Sequence, residues 1–428
     1  MSNLAITNYD AMVMQGDFVR KLAHQVFTPK SFEVNNSMYV RRAELETRLI
    51  DAFPSNRFIV IHGESGNGKT WLFKKVFADQ GIHYEVVNLG NASGAESLDK
   101  AFNVKLGEWG AKQKASEGTA SSAGAKPMGM GVDHRYDTTT AFAAKSPFHH
   151  LAEEVRKRAN HDHRCAIVFD NFEAIVGDPK LVKELVGIIL NADDESFAKH
   201  DIQLVIVGTP TNLKQTIVQL SKSAPVANRL VEIPEVARMS PEEAAQLMEQ
   251  GFVGELGLTF ETGLDKNAVF DEISWNTDRI AQHIQELCLL IAQEAGRNGD
   301  MISRKVVDKA TERWTNDTLS ADIATINGSM NARDTRIGRK NQTLYALGQC
   351  KLEDFKYTDI ETILRKNFDV GSAALNISQI LSGFAAEENP IITRNPKADA
   401  WRFVSPKYRM AIRALLRRES DGRISLRH

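Results

Sequence analysis

Cysteine is scarce in this chain: three residues in 428, at Cys165, Cys288 and Cys350, far from one another and each in an apolar run of strand or helix type. Such spacing offers neither a disulfide framework nor the paired spacing of a zinc site, and it predicts buried thiols in a reducing compartment. An excess of one charge is missing too. With 53 Lys and Arg against 55 Asp and Glu the formal net charge is -2, so a polyanion partner would need a local basic surface. No stretch approaches the roughly 18 apolar residues that cross a bilayer. The opening MSNLAITNYDAMVMQGDF lacks the basic segment and apolar core of a secretion signal. A cytoplasmic protein with no membrane partner is the expectation. His149-His150 and His161-x-His163 have no Cys or acidic cluster at ligand spacing, which predicts loop or helix-surface histidines.

What is present is globular in composition, 42% hydrophobic and 25% charged, and the length suggests roughly two to four domains. The most informative stretch is Arg57 to Thr70. Arg57-Phe58-Ile59-Val60-Ile61-His62 is an apolar, β-branched run of buried-strand type, and it leads straight into Gly63-Glu64-Ser65-Gly66-Asn67-Gly68-Lys69-Thr70. That octet completes the pattern G-x-x-x-x-G-K-[ST], a phosphate loop. The chemistry requires those residue types because a phosphate chain sits against bare backbone N–H groups at a helix N-terminus, and glycines let the backbone curl without Cβ clashes. Lys69 would reach the β- and γ-phosphates of a nucleotide, and the Thr70 hydroxyl would bind Mg²⁺. An amphipathic helix through Trp71, Leu72, Val76 and Phe77 supplies the context that the motif needs.

Along the chain, residues 1–52 read as a helical lead-in and residues 53–236 as the nucleotide-binding core. Within that core His83 to Leu89 alternates like a strand, and Arg164 to Asp170 is a buried strand ending in an acid, where a carboxylate can hold Mg²⁺. Gln203 to Pro210 is a further strand. Strands alternating with helices predict an α/β, doubly wound parallel sheet with the nucleotide at the strand C-termini. Between about 108 and 146, Ala, Gly, Ser and Lys dominate; this is either a flexible insertion that contacts a partner or a disordered surface loop. Met128 to Gly131 followed by His134-Arg135-Tyr136 could face a substrate. Residues 237–325 read as a wholly helical lid with an apolar stripe at Ile280, Ile284, Leu287, Cys288 and Ile291. Residues 326–428 read as a winged helix-turn-helix: helices at Leu344 to Cys350, Tyr357 to Lys366 and Ala373 to Phe384, a strand-turn-strand wing over 390–404, and a final basic helix from Lys407 to Arg418.

The order of phosphate loop, Asp170, Gly208-Thr209-Pro210, Asn228-Arg229, helical lid and winged helix resembles AAA+ ATPases of the origin-recognition type. It also resembles the transposition-regulator ATPases and the bacterial STAND signalling ATPases, whose acidic strand often ends as Asp170-Asn171-Phe172-Glu173 does here. The resemblance spans roughly residues 38 to 410. It implies that ATP and Mg²⁺ bind, with Tyr39 and Val40 beside the adenine, Gly63 to Trp71 at the phosphates, and Thr70 and Asp170 on the metal. Thr209 corresponds to the sensor on the fourth strand. Arg229 stands where these proteins carry the arginine finger that enters a neighbouring subunit's site, the alternative being a surface ion pair.

The chain departs from that pattern at two places. Where the family has a Glu after the Walker B Asp to orient the attacking water, this chain has Asn171; Glu173 is the nearest carboxylate and shares a face with Asn171 only if the strand continues. Glu64 is a further candidate, its bland alternative being a bystander. Slow hydrolysis would suit a switch better than a motor. In the lid, Gln282 aligns with the family's sensor arginine, and Arg279, placed one turn away on the helix, either substitutes for it or is an exposed residue.

Two functions fit the resemblance: an ATP-dependent assembly switch, and a STAND-like signalling ATPase that activates a separate effector chain. The implied partners are further copies of the chain in a ring or filament, DNA, and a partner effector or transposition protein, in a mobile-element or anti-phage setting. DNA would meet the insertion and the C-terminal segment 399–428, which carries eight Lys and Arg against three Asp and Glu. Those basic residues include Arg402, Lys407, Arg409, Arg413, Arg417 and Arg418, and they are either phosphate contacts or a solvated or protein-docking face. The third helix carries Asn376 and Gln379 but no Lys or Arg, which argues against sequence-specific readout.

Overall fold

A computed structural model describes residues 21–55, 58–110, 146–159, 163–192, 194–209, 213–331, 338–372, 374–395 and 399–427. Arg57, His161, Pro210, Ala373 and the first part of the lead-in lie outside the described residues, as does most of the 108–146 insertion with Met128 to Gly131 and His134 to Tyr136. The chain divides into two compact units. One comprises Ala43–Gly63 and Leu72–Val236; the other comprises residues up to Arg42, Glu64–Trp71 and residues from Ala237 onward.

The first unit is built on five strands: β1 (Phe58–His62), β2 (His83–Asn88), β3 (Cys165–Asp170), β4 (Ile202–Gly208) and β5 (Leu230–Glu232). All are parallel, in the order β2-β3-β4-β1-β5. A parallel strand covered on both faces reads as an unbroken apolar run, and β1 and β3 do so. Their side chains alternate between two cores. Val60, Ile167, Phe169, Leu204 and Ile206 enter one core, while Ile59, Ile61, Ala166, Val168, Val205 and Val207 enter the other. The helix Lys69–Asp79 buries Leu72, Phe73, Val76 and Phe77 in that second core, and Phe77 meets Phe53 edge to face at 5.5 Å. Because the strands are parallel and His62 pairs with Gly208 and Asn88 with Asp170, the C-terminal ends lie along one edge of the sheet. His149 and His150 lie half-buried on the helix Pro147–Arg158.

The second unit contains the helices Pro241–Glu249, Lys266–Asn276, Ala281–Gly296 and Arg304–Ser329. Ser240 and Glu243 form a reciprocal capping box at the first of these. The expected stripe of Ile280, Ile284, Leu287, Cys288 and Ile291 is buried in its core. This region is not wholly helical, however. A π-helical turn spans Gln250–Glu255, and β6 (Thr259–Phe260) pairs in parallel with β7 (Met301–Ile302). Two-residue strands carry no periodicity for a sequence reading to detect. All three cysteines are free and buried.

A winged helix closes the same unit. Its helices are Arg339–Gln349, Tyr357–Asn367 and Ile377–Ala386; its wing is β8 (Ile392–Asn395) antiparallel to β9 (Ala400–Phe403), with Phe355 bridging to Trp401. The third helix begins later than its composition suggests, at Ile377, because Asn376 takes a left-handed backbone (φ 52°) at its N-cap. The last expected helix also ends early. It spans Pro406–Leu415, and the chain then turns back as a hairpin of β10 (Leu416–Arg418) and β11 (Ile424–Leu426).

One carboxylate fastens the winged helix to the preceding helices. Asp278 accepts from Arg238 Nη1 at 2.7 Å, Arg409 Nη1 at 2.7 Å and Arg413 Nη1 at 3.0 Å. Arg413 also donates to the carbonyls of Gly348 and Trp275, both at 2.7 Å, and lies over the Trp275 ring. Burial alone would raise the Asp278 carboxyl, yet Arg409, Arg413 and Arg238 together hold it below its usual range. Burial pushes the Arg413 guanidinium down to about 10, against the pull of Asp278, which still leaves it protonated at neutral pH. Asp278→Ala strands three guanidinium groups, and removing one partner of a buried ion cluster costs about 3–5 kcal/mol. Denaturant unfolding should register a loss of that order; a change below about 1 kcal/mol would show that the cluster contributes little.

Candidate functional site

The glycine-rich loop leaves β1 and enters the helix Lys69–Asp79. Its glycines have backbone angles that side chains rarely adopt: φ is +152° at Gly63, +84° at Gly66 and +92° at Gly68. A Cβ at Gly63 would stand 2.3 Å from the carbonyl oxygen of Val236. A Cβ at Gly66 would come within 2.9 Å of the Ile280 methyl and 3.2 Å of Gln282, whereas nothing lies within 4 Å of one at Gly68. The loop is thus closely backed at two glycines and open at the third, beside the start of an eleven-residue helix. That cradle fits a phosphate chain, which needs backbone approach at an N-terminus and no side chain in the way.

The side chains of the loop are placed as follows. Lys69 Nζ donates to the carbonyl of Glu64 at 3.0 Å, so the cation lies back along the loop. Ser65 is exposed, Asn67 is buried, and Thr70 is half-buried as the second residue of the helix. Trp71 donates from Nε1 to the carbonyl of Ser31 at 3.1 Å. Glu64 Oε1 faces Arg402 Nη1 at 3.7 Å. Val40 is buried in the core of the second unit and Tyr39 is half-buried beside it.

Gln282 meets the loop directly, its backbone N–H donating to the carbonyl of Gly66 at 3.0 Å. Its side chain is held in turn, donating from Nε2 to Glu286 at 2.9 Å. Arg279 is not one turn along that helix. Asp278 and Arg279 both have left-handed backbones (φ 49° and 58°), the helix starts at Ala281, and the Arg279 carbonyl accepts from Met239 N at 2.9 Å. Burial and the neighbouring Arg238 lower the Arg279 guanidinium from its ordinary value.

On the sheet unit, β3 stops at Asp170. Asn171 is left-handed (φ 62°), and Phe172–Ala174 form a 3₁₀ turn, so Glu173 does not share a strand face with Asn171. The two side chains diverge toward the neighbouring strands. Asn171 Nδ2 donates to Asn88 Oδ1 at 3.0 Å at the end of β2, while Glu173 Oε2 accepts from the backbone N–H of Thr209 at 3.1 Å just after β4. Glu173 and Thr209 are therefore brought together, a contact that strand alternation could not foretell. Asn171 N also donates to Asp170 Oδ1 at 2.9 Å. Arg229 ends the short helix Val226–Arg229 and donates to the carbonyl of Pro225 at 3.4 Å.

Burial divides the basic residues of the C-terminal segment. Arg402, Arg409 and Arg413 face inward and are bonded to Asp354 and Asp278. Arg417 pairs with Glu419, and Arg418 lies over the Phe368 ring. Six basic residues close together in the sequence make a weaker basic surface than their number suggests when half of them are buried. Among the described residues no group of three His, Cys, Asp or Glu could hold a metal ion, and no helix is long and apolar enough to cross a membrane.

A central parallel strand that runs through a glycine cradle into a helix, on a sheet of order β2-β3-β4-β1-β5 with an acid ending β3, is the fold of an AAA+ P-loop ATPase, here followed by a winged helix. Residues 54–217 match the family model described as an AAA domain, so this stretch is an AAA domain. The chain is similar to a solved structure of the Aeropyrum pernix ORC2 protein in ADPNP–ADP complexes. That pair shares 14% identity at a TM-score of 0.50, covering 89% of this chain and 96% of that one. The likeness at that identity is one of fold. Two further similar structures are the Walker-type ATPase paby2304 of Pyrococcus abyssi (14% identity, TM-score 0.47, 88% and 96% coverage) and the Aeropyrum pernix ORC1 protein in complex with DNA (13%, 0.46, 92% and 95%). No curated protein matches the chain.

Glu286 gives this region a pH signature. Burial alone would raise its carboxyl, but hydrogen bonds from His283 and Gln282, with a further one from Trp314, outweigh that and hold it at about 2, against an ordinary 4.5. A depressed carboxyl contributes stability that is complete above the unfolded value and is lost as pH falls through the folded one. The contribution is on the order of 3 kcal/mol. Wild type should exceed Glu286→Gln in stability by that amount at about pH 6, and acid titration should close the gap between about pH 4.5 and pH 2. A gap that stays constant over this range would refute the assignment.

Proposed function

We infer that this chain binds and hydrolyses ATP and acts as a switch, its nucleotide state controlling self-assembly and engagement of DNA or a partner protein. The observation that carries the reading is the glycine cradle with Gln282 and Ile280 seated against Gly66, which couples the phosphate loop to the helical lid. In this reading Lys69 exchanges the Glu64 carbonyl for phosphate oxygens, and Tyr39 and Val40 flank the adenine. Thr70 and Asp170 would hold magnesium, which would supply charge neutralisation at the phosphates.

Hydrolysis is expected to be slow. Asn171 offers no proton acceptor, and Glu173 is engaged with Thr209, an arrangement that suits orienting a water less than a free carboxylate would. Gln282 brings no cation to the phosphates, which makes a partner subunit's Arg229 the proposed source of positive charge. A neighbouring copy in a ring or filament would supply it. The resemblance suggests a mobile-element or anti-phage setting for such a switch.

A second reading, a STAND-like signalling ATPase acting through a separate effector chain, is favoured by the inward-facing arginines of the winged helix, which suit a protein-docking module better than a nucleic-acid grip.

Calorimetry with Mg-ATP should show binding that Lys69→Ala weakens about 10- to 100-fold, the range of a charged hydrogen bond. Absence of binding by the wild type at millimolar ATP would remove the whole reading. Glu173→Gln should retain binding and lower kcat by about 100-fold if Glu173 orients the water. An unchanged kcat would take Glu173 out of that role. Arg229→Ala should abolish ATP-dependent oligomers on a sizing column; oligomers that persist unchanged would return Arg229 to the surface.

A further inference from the structure

Glu64 places a negative charge on the loop assigned here to a phosphate chain, where like charge opposes binding. Its carboxylate lies 3.7 Å from Arg402, with side-chain exposures of 24% and 10%, so solvent screens the pair weakly. Arg402 belongs to β9 of the wing, far along the chain from the loop. Two hydrogen bonds fix it there, from Nε and Nη2 to the two oxygens of Asp354, both at 2.9 Å. Glu353 adds a third acid at 3.7 Å. The cleft around this pair is also lined by Asn67, Asp278 and Arg409. The Asn67 side-chain oxygen is buried and has no hydrogen-bond partner among the described residues. Loop and winged helix therefore share a cleft in which the Arg402 guanidinium faces the loop's acid.

We propose that Arg402 is a positioning residue of the nucleotide site, supplied by the winged helix, which offsets the charge of Glu64 and so lets the loop accept a polyphosphate. This deepens the ATP reading and rests on it. Seating of the wing and nucleotide binding then strengthen each other, because linkage between two binding events is reciprocal. Loss of Arg402 takes this counter-charge from Glu64 beside the phosphates, and loss of Glu64 removes the need for Arg402.

The test is a titration of the full chain with a fluorescent ATP analogue and magnesium, on wild type, Arg402→Ala, Glu64→Gln and the double variant. Arg402→Ala should weaken binding about tenfold, on the scale of one partly screened charge. Glu64→Gln alone should bind a few-fold more tightly than wild type, because the acid beside the phosphates is gone while Arg402 remains. The double variant should recover most of the loss. A merely structural role for Arg402, through Asp354, is not rescued by Glu64→Gln, so a double variant as weak as Arg402→Ala overturns the proposal. Should Arg402→Ala fail to fold, Glu64→Gln still decides, since unchanged or weaker binding by that variant contradicts the charge argument. Wild type that binds no nucleotide sinks the ATP reading itself, whereas binding by the wild type without rescue sinks this proposal alone.

Discussion

A carboxylate taken out of water among three guanidinium groups is the constraint on which the second unit turns. Asp278 is 4% exposed, and a lone acid so buried would be neutral or would tear the packing open. Three arginines from two regions of the chain, Arg238 on one side and Arg409 and Arg413 on the other, keep it charged. Such a cluster adds less net stability than an apolar core of the same volume, because the desolvation of four charges offsets the attraction. Its effect is positional. The winged helix must sit against the preceding helices in a way that satisfies all four groups, and Asp278 immediately precedes Arg279, Ile280 and the helix that carries Gln282. Two consecutive left-handed residues are a costly route into a helix, and the cluster makes that route the favoured one.

From there the consequence reaches the phosphate loop without a long chain of contacts. Ile280 and Gln282 back Gly66 directly, and Gln282 is oriented by Glu286, which His283 helps to keep ionised well into acid. Arg402 faces the loop from the wing while bonded to Asp354. Among the described residues, the groups that frame the loop are neutral or internally paired. This is a different balance from a site in which a lid arginine points at the phosphates, and it makes the loop's electrostatics depend on how the winged helix is seated.

Much of this architecture is legible in the sequence where local chemistry decides it. The octet Gly63 to Thr70 specifies its own backbone, and the apolar runs of β1, β3 and β4 announce parallel strands because no polar face interrupts them. The stripe from Ile280 to Ile291 follows from the helical period alone. What escapes is whatever depends on partners distant in the chain. Glu173 meets Thr209 only because β3 ends in a left-handed Asn171, and neither alternation nor composition encodes that turn. Arg279 looks like a helix residue until Asp278 is seen to be committed to Arg409 and Arg413, some 130 positions away.

The C-terminal arginines carry the same lesson furthest. Counting charges along 399–428 suggests a basic helix offered to a polyanion, yet a helix has an inside. Arg409 and Arg413 are four residues apart and share one face of Pro406–Leu415, so a single buried acid captures both. Helical spacing thus turns two members of a charge run into a structural clamp, and strand alternation between Trp401 and Phe403 leaves Arg402 for Asp354 and the loop. The exposed pair Arg417 and Arg418 sits on β10 in a short hairpin whose acids Glu419 and Asp421 bond to Arg417 and Arg423. Charge that is spent internally exerts little pull on a distant phosphate backbone. Arg402, Arg409 and Arg413 are accordingly turned toward the acids of the second unit and, in the case of Arg402, toward Glu64 of the phosphate loop.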